Sequence, residues 1–191
     1  MFLEGGELLK ITKEALLRFG LQRGMDLPDA VVVELREVSR TYQLRSRGAQ
    51  IASSRMLSKK EVTQRLTKRG ATDDEAADTV DWLEDLGAVN DENYAGVIVR
   101  HYGRAGYGKM RVRQELQRRG IDRELWDAAM EEMPEAEEAI EELLRRRLRG
   151  RSPDRDEGRK LSAMLQRRGF SWQEIRPVLG RFLSGEDLSE D

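Results

Sequence analysis

Hydrophobic residues recur at helical spacing three times along the chain, each time shortly before a glycine. The phrase reads QRLTKRG at 64–70, QELQRRG at 114–120 and AMLQRRG at 163–169. Before each glycine, two apolar residues stand four positions apart, which places them on one face of a helix. These pairs are Val62 and Leu66, Val112 and Leu116, and Leu161 and Leu165. A period of about fifty residues indicates stacked helical modules that share their hydrophobic faces.

The residues around each repeated glycine predict the end of one helix and the start of the next. Gly70, Gly120 and Gly169 are expected in the left-handed conformation, which costs other residues roughly 1 kcal/mol. Two positions after each glycine comes a residue whose side-chain oxygen can cap a helix. These residues are Thr72, Asp122 and Ser171. Reciprocal capping boxes are predicted for Ser58 with Glu61, Thr72 with Glu75, and Ser171 with Glu174.

The apolar pattern continues after each cap at positions i, i+4 and i+7, which predicts a second amphipathic helix. Its apolar residues are Ala76, Val80 and Leu83, then Trp126, Met130 and Met133, and finally Ile175, Leu179 and Phe182. One further helix is expected before each phrase, at about 28–54, 91–102 and 134–148. Pro153 would open the helix of the third phrase, with Ser152 as its cap.

These elements predict an all-α protein built as an elongated array of three tandem three-helix repeats. We place the repeats at 28–86, 90–133 and 134–184, which gives nine helices. Three such units in a row would span about 60 Å.

The first 27 residues follow a different pattern, typical of a small leader. Apolar runs at Phe2-Leu3 and 8–11 flank a Gly-Gly centre, which predicts a β-hairpin. A short helix at 12–19, closed by Gly20, is expected to follow. An isolated hairpin is marginal in water, so the leader should dock on the array or on a partner. At the other end, residues 185–191 read as a frayed acidic tail.

Composition excludes several classes of protein. The 191 residues include 34 Lys and Arg, 36 Asp and Glu, and no Cys, so disulfides and thiolate metal sites are ruled out. The lack of Cys suits a reducing cytosol, and we expect a cytoplasmic location. No apolar run approaches about 18 residues, so neither secretion nor membrane spanning is indicated.

Two features of the sequence resemble catalytic or nucleotide-binding motifs, and neither has all the residues that such a site requires. His101 is the only histidine, and its neighbours offer no nucleophile, so we interpret it as an incidental residue. The run GRAGYGKM at 103–110 matches most of a phosphate-binding loop, but Met110 replaces the hydroxyl that would ligate magnesium. The segment before it is helical and polar rather than a buried strand. We therefore predict neither an enzyme nor a cofactor.

Carboxylates cluster at 73–75 and between 131 and 142. The first cluster opens a predicted helix, where the helix dipole favours negative charge. The second has no fixed ligand spacing and indicates a solvated face or an electrostatic contact surface. A metal site is therefore the weaker interpretation of both clusters.

Cations are concentrated in two zones, although the net charge is only −2. The first zone comprises Arg100, Arg104, Lys109, Arg111, Arg113, Arg118, Arg119 and Arg123. The second comprises Arg145, Arg146, Arg147, Arg149, Arg151, Arg155, Arg159 and Lys160. They could simply decorate helix ends, as Arg118-Arg119 and Arg167-Arg168 do before their glycines. Repeated basic edges could also follow a phosphate backbone or an acidic protein groove.

The run at 86–122, LGAVNDENYAGVIVRHYGRAGYGKMRVRQELQRRGID, resembles the central signature of the bacterial RecX regulatory proteins. Its matching features are Gly87, Asp91, Tyr94-Ala95, Gly106-Tyr107-Gly108, the basic stretch 109–113 and the closing segment 116–121. The resemblance extends over essentially everything after about residue 28. The helix before Ser58 departs from the family pattern by carrying Gly48, which puts its straightness in question.

The resemblance implies a non-enzymatic regulator of homologous recombination and DNA repair, within the SOS response. Members of the family bind RecA or the RecA–DNA filament and typically reduce its ATPase and strand-exchange activities. On that basis we expect a monomer without a membrane partner. The contact residues expected are Arg100, Arg104, Lys109, Arg111, Arg113, Arg118 and Arg119. The alternative is a helical repeat protein that binds DNA directly, without RecA.

Overall fold

The computed structural model describes residues 1–3 and 6–184. The described residues form ten α-helices and one 3-10 turn. In chain order these are α1 Lys13–Arg18, α2 Asp29–Ser54, α3 Lys59–Thr67, α4 Asp73–Asp85, α5 Asp91–Arg104, α6 Lys109–Arg119, the 3-10 turn Arg123–Leu125, α7 Trp126–Met130, α8 Ala136–Leu148, α9 Arg155–Arg167 and α10 Trp172–Ser184. The chain divides into two compact units, Met1–Asn90 and Asp91–Asp191.

The first unit contains a bundle in which α2, α3 and α4 all pack on one another. Val62, Leu66 and Leu83 lie almost completely buried at its centre. The capping boxes of Ser58 with Glu61 and Thr72 with Glu75 are both present, as predicted. Helix α2 continues through Gly48, where Thr79 and Leu83 of α4 pack too closely to leave room for a Cβ.

The leader belongs to the same unit, but the predicted β-hairpin is wrong. Phe2 and Leu8 form only an isolated antiparallel bridge, and none of the described residues lies in a strand. A ladder of so few residues is too short to stabilise two strands; Glu4 and Gly5, at the expected turn, lie outside the described residues.

The predicted docking of the leader is confirmed, since the Lys10 amide donates a hydrogen bond to Ser39 Oγ of α2 at 2.8 Å. Arg36 of α2 also pairs with Glu7 at 2.7 Å.

The second unit begins with a bundle of α5, α6, the 3-10 turn and α7, whose core includes Val99, Val112 and Leu116. The predicted side-chain cap at Asp122 is wrong. The helix after Gly120 opens as a 3-10 turn, with the Leu125 amide bonded to the Asp122 carbonyl at 3.1 Å, and the Asp122 side chain accepts no capping hydrogen bond. The third helix of this bundle is therefore split into a turn and a short α-helix.

The third bundle comprises α8, α9 and α10 around Leu144, Leu165 and Phe182. The Ser171–Glu174 cap is present, with the Ser171 amide bonded to Glu174 Oε2 at 2.7 Å. The predicted cap at Ser152 is wrong, because Asp154 accepts from the Glu157 amide at 2.8 Å and α9 begins at Arg155. Pro153 is buried just before this cap, so the helix opens two residues later than the pattern suggested.

The left-handed glycines are confirmed, with φ of +89° at Gly70, +74° at Gly120 and +92° at Gly169. The fold is thus all-α and built of tandem three-helix bundles, while its elongation stays a prediction. The acidic tail predicted at 185–191 lies outside the described residues. Among the helices of residues 1–3 and 6–184, none has the length and apolar character needed to cross a membrane.

Candidate functional site

Helix α6 carries three of the predicted contact residues on its solvent side. Val112, Glu115 and Leu116 lie on the buried side of α6, and other positions of the helix face solvent. Lys109, Arg111 and Arg113 are all exposed. Within the part of the chain that the structure describes, none of these three forms an ion pair. We call these three residues the α6 basic face; Lys109 and Arg113 stand one helical turn apart on one flank of α6, and Arg111 projects from another flank, next to the loop at Gly169.

Arg118 and Arg119, near the end of α6, are held by Glu115. The Glu115 carboxylate is only 4% exposed and accepts from Arg118 Nη2 at 2.6 Å and from Arg119 Nε at 2.8 Å. These hydrogen bonds, of which the one from Arg118 has the largest effect, lower the pKa of Glu115 to about 2 despite its burial. The guanidinium of Arg119 also lies over the ring of Tyr94, 5.3 Å from its centre. This part of the predicted set stabilises the bundle.

Arg100 and Arg104 lie apart from the α6 basic face, in a cleft of about 500 Å³ between the end of α5 and α8. Arg100 Nη1 pairs with Glu132 at 2.7 Å. Arg104 lines the same cleft without an ion pair to any described residue. Glu138 and Glu142 of α8 also line it, so the cleft carries charge of both signs. The seven predicted residues therefore fall into three separate groups.

The glycine-rich run after α5 forms a joint between the second and third bundles. The Gly108 amide donates to the Arg168 carbonyl at 2.9 Å, and the Met110 amide donates to the Gly169 carbonyl at 3.2 Å. Arg168 Nη1 donates in return to the carbonyls of Ala105 and Gly106, at 2.9 and 3.1 Å. The two bundles are thus connected by backbone hydrogen bonds and by the Arg168 side chain.

Close packing explains why the joint contains glycine. A Cβ at Gly108 would lie 2.4 Å from the Gly169 carbonyl oxygen, closer than two such atoms can approach. The Arg168 guanidinium also covers the ring of Tyr107 at 5.3 Å. The sequence pattern indicates only a helix-end cation at Arg168. Its place before the third glycine did not distinguish it from Arg118 or Arg119.

The joint also accounts for the resemblance of 103–110 to a phosphate-binding loop. The segment follows a helix, α5, and the Gly108 amide that opens α6 is bonded to Arg168. His101 lies exposed on α5 in edge-to-face contact with Tyr102, with ring centres 5.4 Å apart. Among residues 1–3 and 6–184, no group of three His, Asp or Glu side chains is arranged to hold a metal ion.

Comparison with known proteins places the two C-terminal bundles in a defined family. Residues 90–130 match the model described as "RecX, second three-helix domain", and residues 135–179 match "RecX, third three-helix domain". Two solved structures share the fold. One, "Crystal structure of regulatory protein RecX", has a TM-score of 0.74 at 22% identity over 93% of this chain and 90% of its own. RecX from Lactobacillus salivarius has a TM-score of 0.60 at 23% identity, covering 74% and 97%.

Relatives of higher sequence identity bear the same name, and this chain aligns with most of their length. The "Regulatory protein RecX" of Pseudomonas entomophila is 35% identical over 130 residues, which are 67% of this chain and 81% of that protein. The one of Mycolicibacterium vanbaalenii is 35% identical over 158 residues, covering 77% and 86%. The chain belongs to the RecX family of regulatory proteins.

Proposed function

We propose that the chain binds RecA, alone or as the RecA–DNA filament, and lowers the recombinase and ATPase activity of the filament. It does so in the cytoplasm as a monomer and a non-enzymatic ligand, with 28–86, 90–133 and 134–184 as its three binding modules. The observation that carries the proposal is the α6 basic face. In a chain whose relatives are named regulatory proteins, it presents three exposed cations that no described residue neutralises.

Repetition supports a filament as the target. Successive bundles present equivalent helices, α3, α6 and α9. The position of Lys109 is occupied by Lys59 in the first bundle, where it pairs with Glu84, and by Gly158 in the third. A filament likewise presents equivalent sites along its length, and several modest contacts made together bind far more tightly than one. Cationic side chains at the rim of each contact would raise the association rate and make binding sensitive to salt.

In this proposal the other four predicted contact residues support the α6 basic face rather than forming part of it. Arg118 and Arg119 fix the end of α6 through Glu115. Arg100 and Arg104 line the cleft beside the joint, apart from the α6 basic face, and contribute its positive charge. Charge reversal at the face should therefore weaken binding more than it changes stability.

Co-sedimentation with RecA filaments on single-stranded DNA tests the proposal. Replacing Lys109 and Arg113 together by Glu should weaken retention about tenfold or more. The matched control replaces Lys13 and Arg23 of the leader by Glu, which makes the same change of charge at two exposed positions. Equal retention of both double variants and the parent would contradict the proposed use of α6. Failure of the parent to pellet with filaments would remove the proposed function itself.

Direct DNA binding uses the same cations and is the second candidate. The exposed, unpaired state of Lys109, Arg111 and Arg113 suits phosphate contacts as well as protein carboxylates. If six or so phosphates were neutralised, affinity for DNA without RecA should fall about a thousandfold between 50 and 200 mM salt. Tight, salt-dependent binding to naked DNA combined with no filament retention would favour this candidate.

A further inference from the structure

A second contact surface lies on the third bundle, away from the α6 basic face. Helices α9 and α10 enclose an open groove of about 470 Å³. Its sides include Trp172, which is 53% exposed, and Leu183, which is 42% exposed. Ala163 and Leu179 also line it. A concavity of this size lined by apolar and aromatic side chains is the usual form of a binding site.

Gly158 keeps one end of the groove open. A Cβ at this position would lie 3.1 Å from Leu183 Cδ2, so a larger side chain would displace Leu183 or fill the space. The glycine is buried and has no positive φ, so the backbone conformation does not require it. The requirement for glycine here is one of space.

The first bundle shows that the fold does not need this groove. In the repeat register, Gly158 and Leu183 correspond to Lys59 and Glu84, each 99 positions earlier. Lys59 and Glu84 form an ion pair across α3 and α4. Trp172 likewise corresponds to the exposed Asp73. Trp172 and Leu183 are therefore apolar at positions that are charged in the first bundle, and neither belongs to the buried core of the third bundle.

The charges around the groove define the kind of partner. Arg155 and Arg159 line it, and among the described residues no carboxylate does. Arg155 forms no ion pair with any described residue. Arg159 pairs with Asp156 at 3.2 Å, but both side chains are about four-fifths exposed, and such exposed pairs contribute little. An apolar floor with two available cations complements an apolar side chain flanked by carboxylates.

We propose that this groove binds an acidic amphipathic segment of a protein partner. Apolar side chains of the segment insert between Trp172 and Leu183, and its carboxylates pair with Arg155 and Arg159. A helix laid into a groove is a common way to bind such a segment. The inference does not depend on RecA as the partner, because the groove shares no residue with the α6 basic face.

Fluorescence anisotropy of a labelled peptide tests the inference. The probe is a peptide of about eighteen residues, with Leu at every third or fourth position, Glu beside each Leu and the helix-favouring Ala elsewhere, compared with the same peptide carrying Lys in place of Glu. The parent chain should bind the Glu peptide about tenfold more tightly than the Lys peptide. Leu183→Glu, which copies the first bundle, should weaken binding of the Glu peptide about tenfold. Arg155→Glu with Arg159→Glu should reverse the preference between the two peptides.

Leu86→Glu is the matched control, because Leu86 is 62% exposed on the first bundle. It should bind the Glu peptide like the parent, and circular dichroism of each variant verifies that the helices are retained. Equal binding of the Glu peptide by the parent and Leu183→Glu would overturn the inference, as would no binding by the parent. A deoxythymidine oligonucleotide serves as a further probe. If the parent chain binds the oligonucleotide but not the Glu peptide, and Leu183→Glu no longer binds the oligonucleotide, the groove is a nucleic-acid site instead.

Discussion

The amide of Gly108 donates a hydrogen bond to the carbonyl oxygen of Arg168 over 2.9 Å, and thereby connects two separate helical bundles. The contact brings the N-terminus of α6 against the loop that ends α9. No side chain fits between them, since a Cβ at Gly108 would meet the Gly169 carbonyl oxygen at 2.4 Å.

Gly108→Ala should therefore destabilise the second unit by about 2 kcal/mol or more. The φ of Gly108 is −80°, which alanine adopts without strain, so the loss would be purely steric. Urea unfolding followed by Trp fluorescence measures it. Gly180→Ala is the control, because nothing lies within 4 Å of a Cβ there, and replacing Gly by Ala inside a helix should stabilise by about 0.5–1 kcal/mol. Equal stability of the two variants would refute the steric joint.

Arg168→Ala should speed amide hydrogen exchange at Gly108 and Met110 and cost about 1–2 kcal/mol. The substitution removes the hydrogen bonds to two carbonyls and the contact with the Tyr107 ring. Exchange monitored by NMR checks the local effect. Arg167→Ala, at the exposed neighbouring position, should leave both amides protected. Unchanged exchange in Arg168→Ala would mean that the backbone bonds alone hold the joint.

Glu115 should make the stability of the second bundle depend on pH in acid. Its pKa is about 2 in the folded chain against an ordinary value of 4.5. Because the folded-state pKa is lowered, the stabilisation is complete above about pH 4.5 and disappears as the pH falls through about 2. A shift of this size corresponds to about 3 kcal/mol. We discount it to about 2 kcal/mol, because the Arg118 side chain is 66% exposed and therefore screened by water.

Glu115→Gln should accordingly lose about 2 kcal/mol at neutral pH and converge on the parent by about pH 2. Urea unfolding at a series of pH values measures the difference. Glu124→Gln is the control, since Glu124 is exposed and forms no ion pair with any described residue. A deficit in Glu115→Gln that stays constant from neutral pH to pH 2 would show that the carboxylate charge is not the cause.

Gly48→Ala tests the packing of α2 on α4 in the first bundle. A Cβ there would lie 2.8 Å from Thr79 Cγ2 and 3.1 Å from Leu83 Cδ1. The overlap should outweigh the helix propensity gained and cost about 1 kcal/mol net. Thr79→Ser removes Cγ2 but keeps the hydrogen bond to the Glu75 carbonyl, now 2.7 Å long. In that background Gly48→Ala should become neutral or stabilising; an unchanged penalty would place the clash elsewhere.

The repeated phrase predicted most of the fold because its signals are local. Apolar residues four apart, Ser or Thr with Glu three residues later, and a glycine at the helix end each act within one or two turns of chain. They located α3, α6 and α9 and the caps at Ser58, Thr72 and Ser171. Asp122 failed because a 3-10 turn rearranges the amides that it would have capped.

The candidate surfaces were less predictable, because charge alone does not say which cations have partners. Arg113 and Arg118 look alike in the sequence, yet Arg118 is bound by the buried Glu115 and Arg113 faces solvent. Arg168 is also indistinguishable from them in the sequence, yet its side chain donates to the Ala105 carbonyl at the joint. A signal for the groove was present, since Trp172 and Leu183 break the polar pattern that Asp73 and Glu84 follow at equivalent positions.

The joint has a consequence for how this protein could be altered. Since the hydrogen bonds identified between the second and third bundles come from peptide groups and the Arg168 guanidinium, we expect the orientation of one bundle on the other to be independent of outward side chains away from the joint, such as those of Arg113 and Leu183. Those side chains can be exchanged freely to suit a new target, and the distance between the two surfaces they form will stay the same.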